Sequence, residues 1–364
     1  MRRTLERPPL GGDLETCTVP SARSRGARGH EQASDLPSFS EEEGGEVETR
    51  QSSTHSLARP GLSGYSMRAR FGRQLKPPVV LELQKPCVRM KDPERVEELV
   101  CKLIKGGPKK LQVVTDFDNT ISRSHFNGKP CCSTHGVLES SQIIAKEYQL
   151  EAQKLHNKYY PIEIDPHIST EEKIPQMVEW YSRSHAILVS CGMKKHDFAK
   201  LVADSSIMLR DGCESFFEML HEHQIPTLVF SAGLGDILEE ALRHFQCHFP
   251  NLKFISNYMQ FDEEGNIVGF KGELIHMYNK NRSNVHPEYY QAVKERTNIL
   301  LLGDSLGDLD MLAGNQQQEV VLRIGFLNSR IEERLPQYLN SFDIVLLDDQ
   351  TMDVVNGILR KIIY

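Results

Sequence analysis

Two aspartates one residue apart, Asp116 and Asp118, close an apolar run in LQVVTDFDNT, residues 111–120. Leu111, Val113 and Val114 give this run the character of a buried strand. Alternation along an extended backbone points both carboxylates to the same side. Two carboxylates at the carboxyl end of a sheet strand are costly to desolvate unless a cation or a proton relieves them. Taken alone, the pair reads equally well as a wet strand end. Three further groups change that balance: Ser231 in IPTLVFSAG, Lys280, and Asp304 with Asp308 in GDSLGD. Each has an ordinary reading by itself, as a turn hydroxyl, a solvated lysine and helix-cap acids. Gathered in one crevice they form a phosphoryl-transfer site. The aspartates call for a hard divalent cation such as Mg²⁺, and the hydroxyl and ammonium make a phosphate cradle. A carboxylate that attacks phosphorus gives an aspartyl-phosphate.

The elements that must position these groups follow from periodicity. KDPERVEELVCKLIKGG reads as a helix capped by Asp92, with Pro93 at its first position and Gly106-Gly107 as its stop. It leads into the strand of the aspartate pair. For about a hundred residues afterwards the helical period dominates. One helix is expected over residues 138–159, a second behind the Ser169/Glu172 capping box, and others over 194–206 and 213–223. Strands return at 225–233, as a strand and then a hairpin around Glu264-Gly265-Asn266 within 252–280, in a strand-to-helix unit over 298–312, and at 320–326 and 343–347. Strands alternating with helices give an α/β, doubly wound parallel sheet with a helical insertion after its first motif strand. The expected division is a core of 76–121 and 226–364 and a helical cap of 122–225. Hinges are expected at 122–127 and 221–226, where the chain crosses between the two. The carboxyl ends of parallel strands meet in one crevice, which brings the aspartates, Ser231 and Lys280 (expected just beyond a strand) together.

Residues 1–75 are a different kind of polymer, rich in Ser, Gly, Pro, Glu and Arg. They are expected to be a disordered extension, because too little apolar area is available to offset ordering entropy. Over the 364 residues, the net charge of -7 gives no general attraction to nucleic acid or to an anionic membrane. No apolar run approaches the roughly 18 residues that cross a bilayer, and the N-terminus lacks an apolar signal core. Eight dispersed cysteines without a C-x-x-C pair suggest reduced thiols and a cytoplasmic protein. Cys131, Cys132 and His135 are too few ligands for a structural zinc site. Nothing in the sequence reads out oligomeric state, and a monomer is the working expectation.

DFDNT, VFSAG, the lysine of HMYNK and GDSLGD resemble the four signature motifs of the haloacid-dehalogenase superfamily of phosphohydrolases. Within it, YYPIEIDP, MVEWY, FSAGLGDILEE, GFKGELIH, NKN and LLGDSLGDL resemble the cytosolic 5′-nucleotidase III (pyrimidine 5′-nucleotidase) family, and most closely its 7-methylguanosine phosphate-specific form. The likeness runs from residue 88 to the C-terminus. It implies a Rossmann-like core and a Mg²⁺-dependent phosphomonoesterase acting on nucleoside 5′-monophosphates. Asp116 would be the nucleophile and Asp118 the proton donor and acceptor. Mg²⁺ would be held by Asp116, the Asp118 backbone carbonyl and Asp304, with Asp308 behind them. Ser231, the Ala232 amide and Lys280 would bind phosphate, and Glu163 of the cap would contact the base. Two departures stand out. Asn119 replaces the family's usual Met, and its side chain is expected to face away from the aspartates. Tyr181 follows Trp180 where the 7-methylguanosine-selective relatives carry a second tryptophan, and a cationic base stacks less well on Tyr. CMP, UMP and 7-methyl-GMP therefore all remain as substrates. The competing readings are a phosphatase for another small phosphoester and a non-catalytic phosphate-binding relative.

Overall fold

A computed structural model describes residues 80–364 except 166, 282–283, 286 and 314–317; the expectation for residues 1–75 lies outside them. The described residues open with a 3₁₀ turn (Leu81–Gln84), an edge strand, β1 (Val88–Arg89), and helix α1 (Pro93–Gly106). Asp92 caps α1 by accepting the Arg95 N–H at 2.9 Å, and Val96, Leu99, Val100 and Leu103 are buried along one face. Gly107 ends the helix with φ of 66°, in the left-handed region that favours glycine. The fully buried strand β2 (Leu111–Thr115) follows.

The insertion begins with a small hairpin, β3 (His125–Phe126) and β4 (Lys129–Pro130), and continues through α2 (Thr134–Glu139), α3 (Lys146–Ile164), α4 (Thr170–Ser190) and α5 (Phe198–Asp204). The single helix expected over 138–159 is two helices. Between them the Ser140 hydroxyl bonds back to the Gly136 carbonyl, and Ser141 Oγ accepts the Ile143 N–H, so serine side chains compete with the helical ladder. The capping box at Ser169 and Glu172 forms as expected.

Helix α6 (Cys213–Glu222) precedes β5 (Thr227–Leu234), α7 (Gly235–His244), β6 (Leu252–Asn257) and the hairpin β7 (Met259–Phe261) and β8 (Ile267–Phe270). After α8 (Pro287–Ala292) come β9 (Asn298–Gly303), a 3₁₀ segment (Leu306–Leu312), β10 (Val320–Leu327), α9 (Ile331–Ser341), β11 (Ile344–Leu347) and α10 (Asp353–Ile363). The expected helix behind β9 is thus a tighter 3₁₀ turn, fixed by a Ser305/Asp308 capping box.

The main sheet has the order β1-β11-β10-β9-β2-β5-β6. It is parallel throughout except where β1 pairs antiparallel with β11. β2 lies between β9 and β5, with Val113 opposite Leu300 on one side and Thr227 on the other. This order brings the carboxyl ends of the three motif strands together at the point where the winding reverses.

The chain leaving β2 is paired with the chain that returns from the helices. Ser122 bridges Leu209, the Arg123 N–H donates to the Met208 carbonyl at 2.8 Å, and the Arg210 N–H to the Ile121 carbonyl at 3.0 Å. Beyond this crossing, Cys213, Phe216, Phe217 and Leu220 of α6 are buried in the same core as α10. Arg210 is itself only 1% exposed. Its guanidinium donates to the carbonyls of Thr120 (2.7 Å), Asn119 (2.5 Å) and Asp349 and to Asn328 Oδ1 (2.9 Å), and lies 4.2 Å from the centre of the Phe326 ring. A buried cation thus laces the loops after β2, β10 and β11. Arg210→Met keeps the contact with Phe326 but strands these acceptors, and should lower unfolding stability by about 2–4 kcal/mol, read as a reduced urea midpoint.

Candidate active site

Asp116 sits one residue past the ladder of β2, its N–H still donating to the Leu302 carbonyl of β9 at 3.0 Å. Lys280 Nζ donates to Asp116 Oδ1 at 2.5 Å and to Asp308 Oδ1 at 2.7 Å. All three side chains are buried. Asp308 Oδ2 accepts the N–H groups of Asp304 (3.0 Å) and Ser305 (2.8 Å) and the Ser305 hydroxyl (3.0 Å), so the 3₁₀ turn orients it completely. The Asp304 carbonyl accepts the Tyr338 hydroxyl, which ties the same loop to α9.

Lys280 is not at a strand end. β8 stops at Phe270, and the lysine is carried by a long irregular loop that asparagine side chains hold in place. Asn257 spans from the Ala232 carbonyl to both the N–H and the carbonyl of Ile275, and Asn279 ties the Leu274 carbonyl to the His276 N–H. Lys280 thus lines the crevice, carried by a loop and not by a strand end.

Burial is the largest influence on the Asp116 carboxyl and, despite Lys280, pushes it up to about 7, with Asp308 adding to the rise. Burial likewise raises Asp304, and the charges of Asp116 and Asp308 raise it further. For Lys280 burial disfavours the cation, but the two aspartates outweigh it and hold the ammonium protonated. Carboxylates crowded this tightly call for another positive charge.

Asp116, Asp304 and Asp308 each offer an oxygen within 4.8 Å of the others, and Asp116 Oδ2 is buried with no hydrogen-bond partner. An all-oxygen donor set with an orphaned carboxylate oxygen fits a hard divalent ion. The Asp118 carboxylate is outside this group, because both of its oxygens face Thr134. Oδ1 accepts the Thr134 N–H at 2.8 Å and Oδ2 the Thr134 hydroxyl at 2.7 Å. Burial raises the Asp118 pKa, and the two Thr134 bonds oppose that rise.

The groups meet in a cavity of about 290 Å³. Its floor carries Asp116, Asp118, Ser231, Ala232, Gly233, Lys280 and Asp304; its helical wall carries Glu163, Trp180 and Tyr181. Asp308 lies behind this lining. Ser231 Oγ accepts the Gly233 N–H at 3.0 Å, which leaves its proton free for a ligand. Asn119 borders the same cavity. Its φ of 60° is one that asparagine adopts more readily than a longer side chain does. Glu163, in the last turn of α3, is pushed up to about 7 by burial, against the charges of Arg334, Lys173 and Lys280.

Several lining residues are given no role by the sequence. His156 and Tyr160 share one face of α3 with Glu163 at helical spacing, a signal present in the sequence. His135 was set aside with the cysteines, and here its ring meets Tyr181 edge-on at 5.8 Å. Trp180, the chain's single tryptophan, stacks on Tyr159 at 5.9 Å and lies 6.1 Å from Tyr181. The result is an aromatic wall across from the acidic floor.

Fold and crevice together are of the haloacid-dehalogenase type, a doubly wound sheet with its acid pair after the central strand. Within that class the chain belongs to the pyrimidine 5′-nucleotidase (UMPH-1) family, whose family model matches residues 119–363. It is 48% identical over 286 residues to the 7-methylguanosine phosphate-specific 5′-nucleotidase of Mus musculus, covering 78% of this chain and 95% of that protein. The enzyme of the same name from Drosophila melanogaster is 39% identical over 277 residues, covering 75% and 86%. Among solved structures, cytosolic 5′-nucleotidase IIIB bound to cytidine superposes with a TM-score of 0.73 at 37% identity, covering 79% of this chain and 98% of that one.

Proposed function

We propose that this chain is a Mg²⁺-dependent 5′-nucleotidase that hydrolyses nucleoside 5′-monophosphates, 7-methyl-GMP and CMP foremost and UMP with them, to nucleoside and phosphate. The observation that carries this reading is the unpartnered Asp116 oxygen beside Lys280, at the floor of a cavity walled by Trp180 and Tyr181. The names of the relatives support the 7-methylguanosine substrate, and the cytidine bound to the solved relative supports a pyrimidine.

In this reading the Asp116 carboxylate attacks phosphorus, and the P–O5′ bond breaks as the Asp116–phosphorus bond forms. Asp118 gives its proton to the departing O5′, then takes one from the water that cleaves the aspartyl-phosphate. Ser231, the Ala232 amide and Lys280 hold the phosphoryl oxygens. Asp116, the Asp118 carbonyl and Asp304 would hold Mg²⁺, with Asp308 orienting their loop. When bound, the ion offsets the repulsion between the anionic nucleophile and the anionic ester.

The cap in this reading is residues 124–207, narrower than 122–225. The chain pairs with itself at Ser122 and Leu209, and α6 packs with the core. The cavity is complete within one chain, as a monomeric enzyme requires. Cytoplasmic residence is supported by the seven free cysteines among the described residues. No helix among them is long and apolar enough to cross a membrane.

Phosphate release from 7-methyl-GMP, CMP, UMP and phosphoserine tests the proposal. Turnover of phosphoserine above that of all three nucleotides would overturn it. Glu163 supplies a second test. With its carboxyl near 7, it is mostly neutral at pH 6 and mostly ionised at pH 8, and only the ionised form accepts hydrogen bonds from an exocyclic amine on both oxygens. Cytidine has no phosphate to titrate, so its Kd should fall by up to about tenfold between pH 6 and pH 8. Glu163→Gln should flatten that profile.

A further inference from the structure

We propose that Thr134 sets the direction in which the Asp118 carboxyl presents its proton, so that a residue from the first helix of the insertion governs protonation of the leaving oxygen. This rests on the reading of Asp118 as the proton donor, and the experiment below separates the two.

Thr134 is fully buried and grips Asp118 at both oxygens, with its N–H on Oδ1 at 2.8 Å and its hydroxyl on Oδ2 at 2.7 Å. The hydroxyl is itself anchored, because its oxygen accepts the Leu234 N–H at 3.0 Å. Leu234 belongs to β5, the strand that carries Ser231. Ser133 fixes the entry to α2 by accepting the Gly136 N–H at 3.1 Å. Gly233 leaves room for the arrangement: a Cβ there would lie 2.6 Å from Asp118 Oδ2 and would also overlap the Thr134 hydroxyl. The acid, the α2 entry and the phosphate-side strand therefore meet at one hydroxyl.

A threonine hydroxyl has one proton and two lone pairs. The Leu234 N–H occupies one lone pair, which leaves one proton and one lone pair for Asp118. With the N–H on Oδ1 and the hydroxyl proton on Oδ2, one lone pair of each oxygen is taken, so the acidic proton of Asp118 occupies a lone pair that faces away from Thr134. The same two donors then stabilise the carboxylate that remains when the proton has left. In the first half-reaction the Asp116–phosphorus bond forms, the P–O5′ bond breaks, and the Asp118 proton moves to O5′. The resulting carboxylate is the form to which Thr134 donates twice. Valine offers only the backbone N–H, whereas serine keeps the hydroxyl. Thr134 is in this sense a positioning residue.

A merely structural role would slow every substrate alike. A role through the acid depends on the leaving group, since a nucleoside 5′-oxygen needs the proton and p-nitrophenolate does not. The quantity to compare is kcat/KM, which stops at departure of the leaving group and so excludes the later water step that both substrates share. With Mg²⁺ present, Thr134→Val should lower kcat/KM for CMP by about 30-fold or more and for p-nitrophenyl phosphate by no more than about threefold. Thr134→Ser should restore CMP to within about threefold of wild type. If the valine variant does not fold, Thr134→Ala serves in its place. Equal losses on the two esters, or full CMP activity in the valine variant, would overturn the proposal. Asp118→Asn is the control: leaving-group selectivity there, without it in Thr134→Val, removes Thr134 and keeps the acid. No selectivity in Asp118→Asn removes both.

Discussion

Asp116→Asn is expected to reduce nucleotide hydrolysis by about 10⁴-fold or more, the scale on which removal of a covalent nucleophile acts. An amide of the same shape can still accept from Lys280 but cannot attack phosphorus. Ser231, Lys280 and the cavity wall are untouched, so nucleotide should still bind. The fold should not suffer. The Asp116 carboxyl is pushed up to about 7 in the folded chain, chiefly by burial, and so lies above the ordinary carboxylate range of an unfolded chain. A group raised in this way binds its proton more tightly in the folded state, so its contribution to stability falls as pH rises from that ordinary range to about 7. Without metal, wild type should therefore lose stability between pH 5 and pH 8, and Asp116→Asn should lose less. Added Mg²⁺ should raise the melting temperature of wild type more than that of the variant. Melting curves and a phosphate-release assay check the two halves separately. Turnover of CMP near the wild-type rate would remove Asp116 as nucleophile.

Which parts of this site could be read from the chain depends on how the chain delivers them. Asp116, Ser231 and Asp304 are on or just beyond apolar parallel strands, and a β-rich run followed by a polar residue and a turn is a local signal. Strand alternation with helices then implies that these ends converge. Lys280 was legible through its motif alone, since its support is a loop folded by Asn257 and Asn279, and loops have no period. Thr134 was not legible. Its role arises from a 16-residue separation to Asp118 and a 100-residue separation to Leu234, neither of which leaves a pattern in a linear sequence. The narrower cap proposed here could not be drawn from the sequence for a related reason. Helix α6 has the same amphipathic period as the helices before it, and only the pairing of Ser122 with Leu209 shows where the chain has already returned. Periodicity says that a helix has a buried face but not which neighbour buries it.

Lys280→Met is expected to cost both activity and stability, and the two losses have different causes. The lysine donates to Asp116 and Asp308 at once, with all three groups buried. Removing one member of a buried charge cluster leaves the others uncompensated, a change that costs about 3–5 kcal/mol. In the metal-free protein this should appear as a lower urea midpoint. Mg²⁺ should recover more stability in Lys280→Met than in wild type, because the ion would then be the only cation facing three carboxylates. Activity should not recover with it. In the proposed reaction the ammonium would also hold the phosphoryl group, and there loss of one preorganised donor lowers kcat by about 10²- to 10³-fold. Adding Asp308→Asn separates the two effects. Its carbonyl oxygen can keep accepting from Ser305, while its neutral amide removes one of the carboxylate charges that loss of the lysine leaves uncompensated. The double variant should regain much of the lost stability at pH 8 and none of the lost turnover. Recovery of both would reduce Lys280 to a structural counter-charge and leave Ser231 and the metal to hold the phosphate.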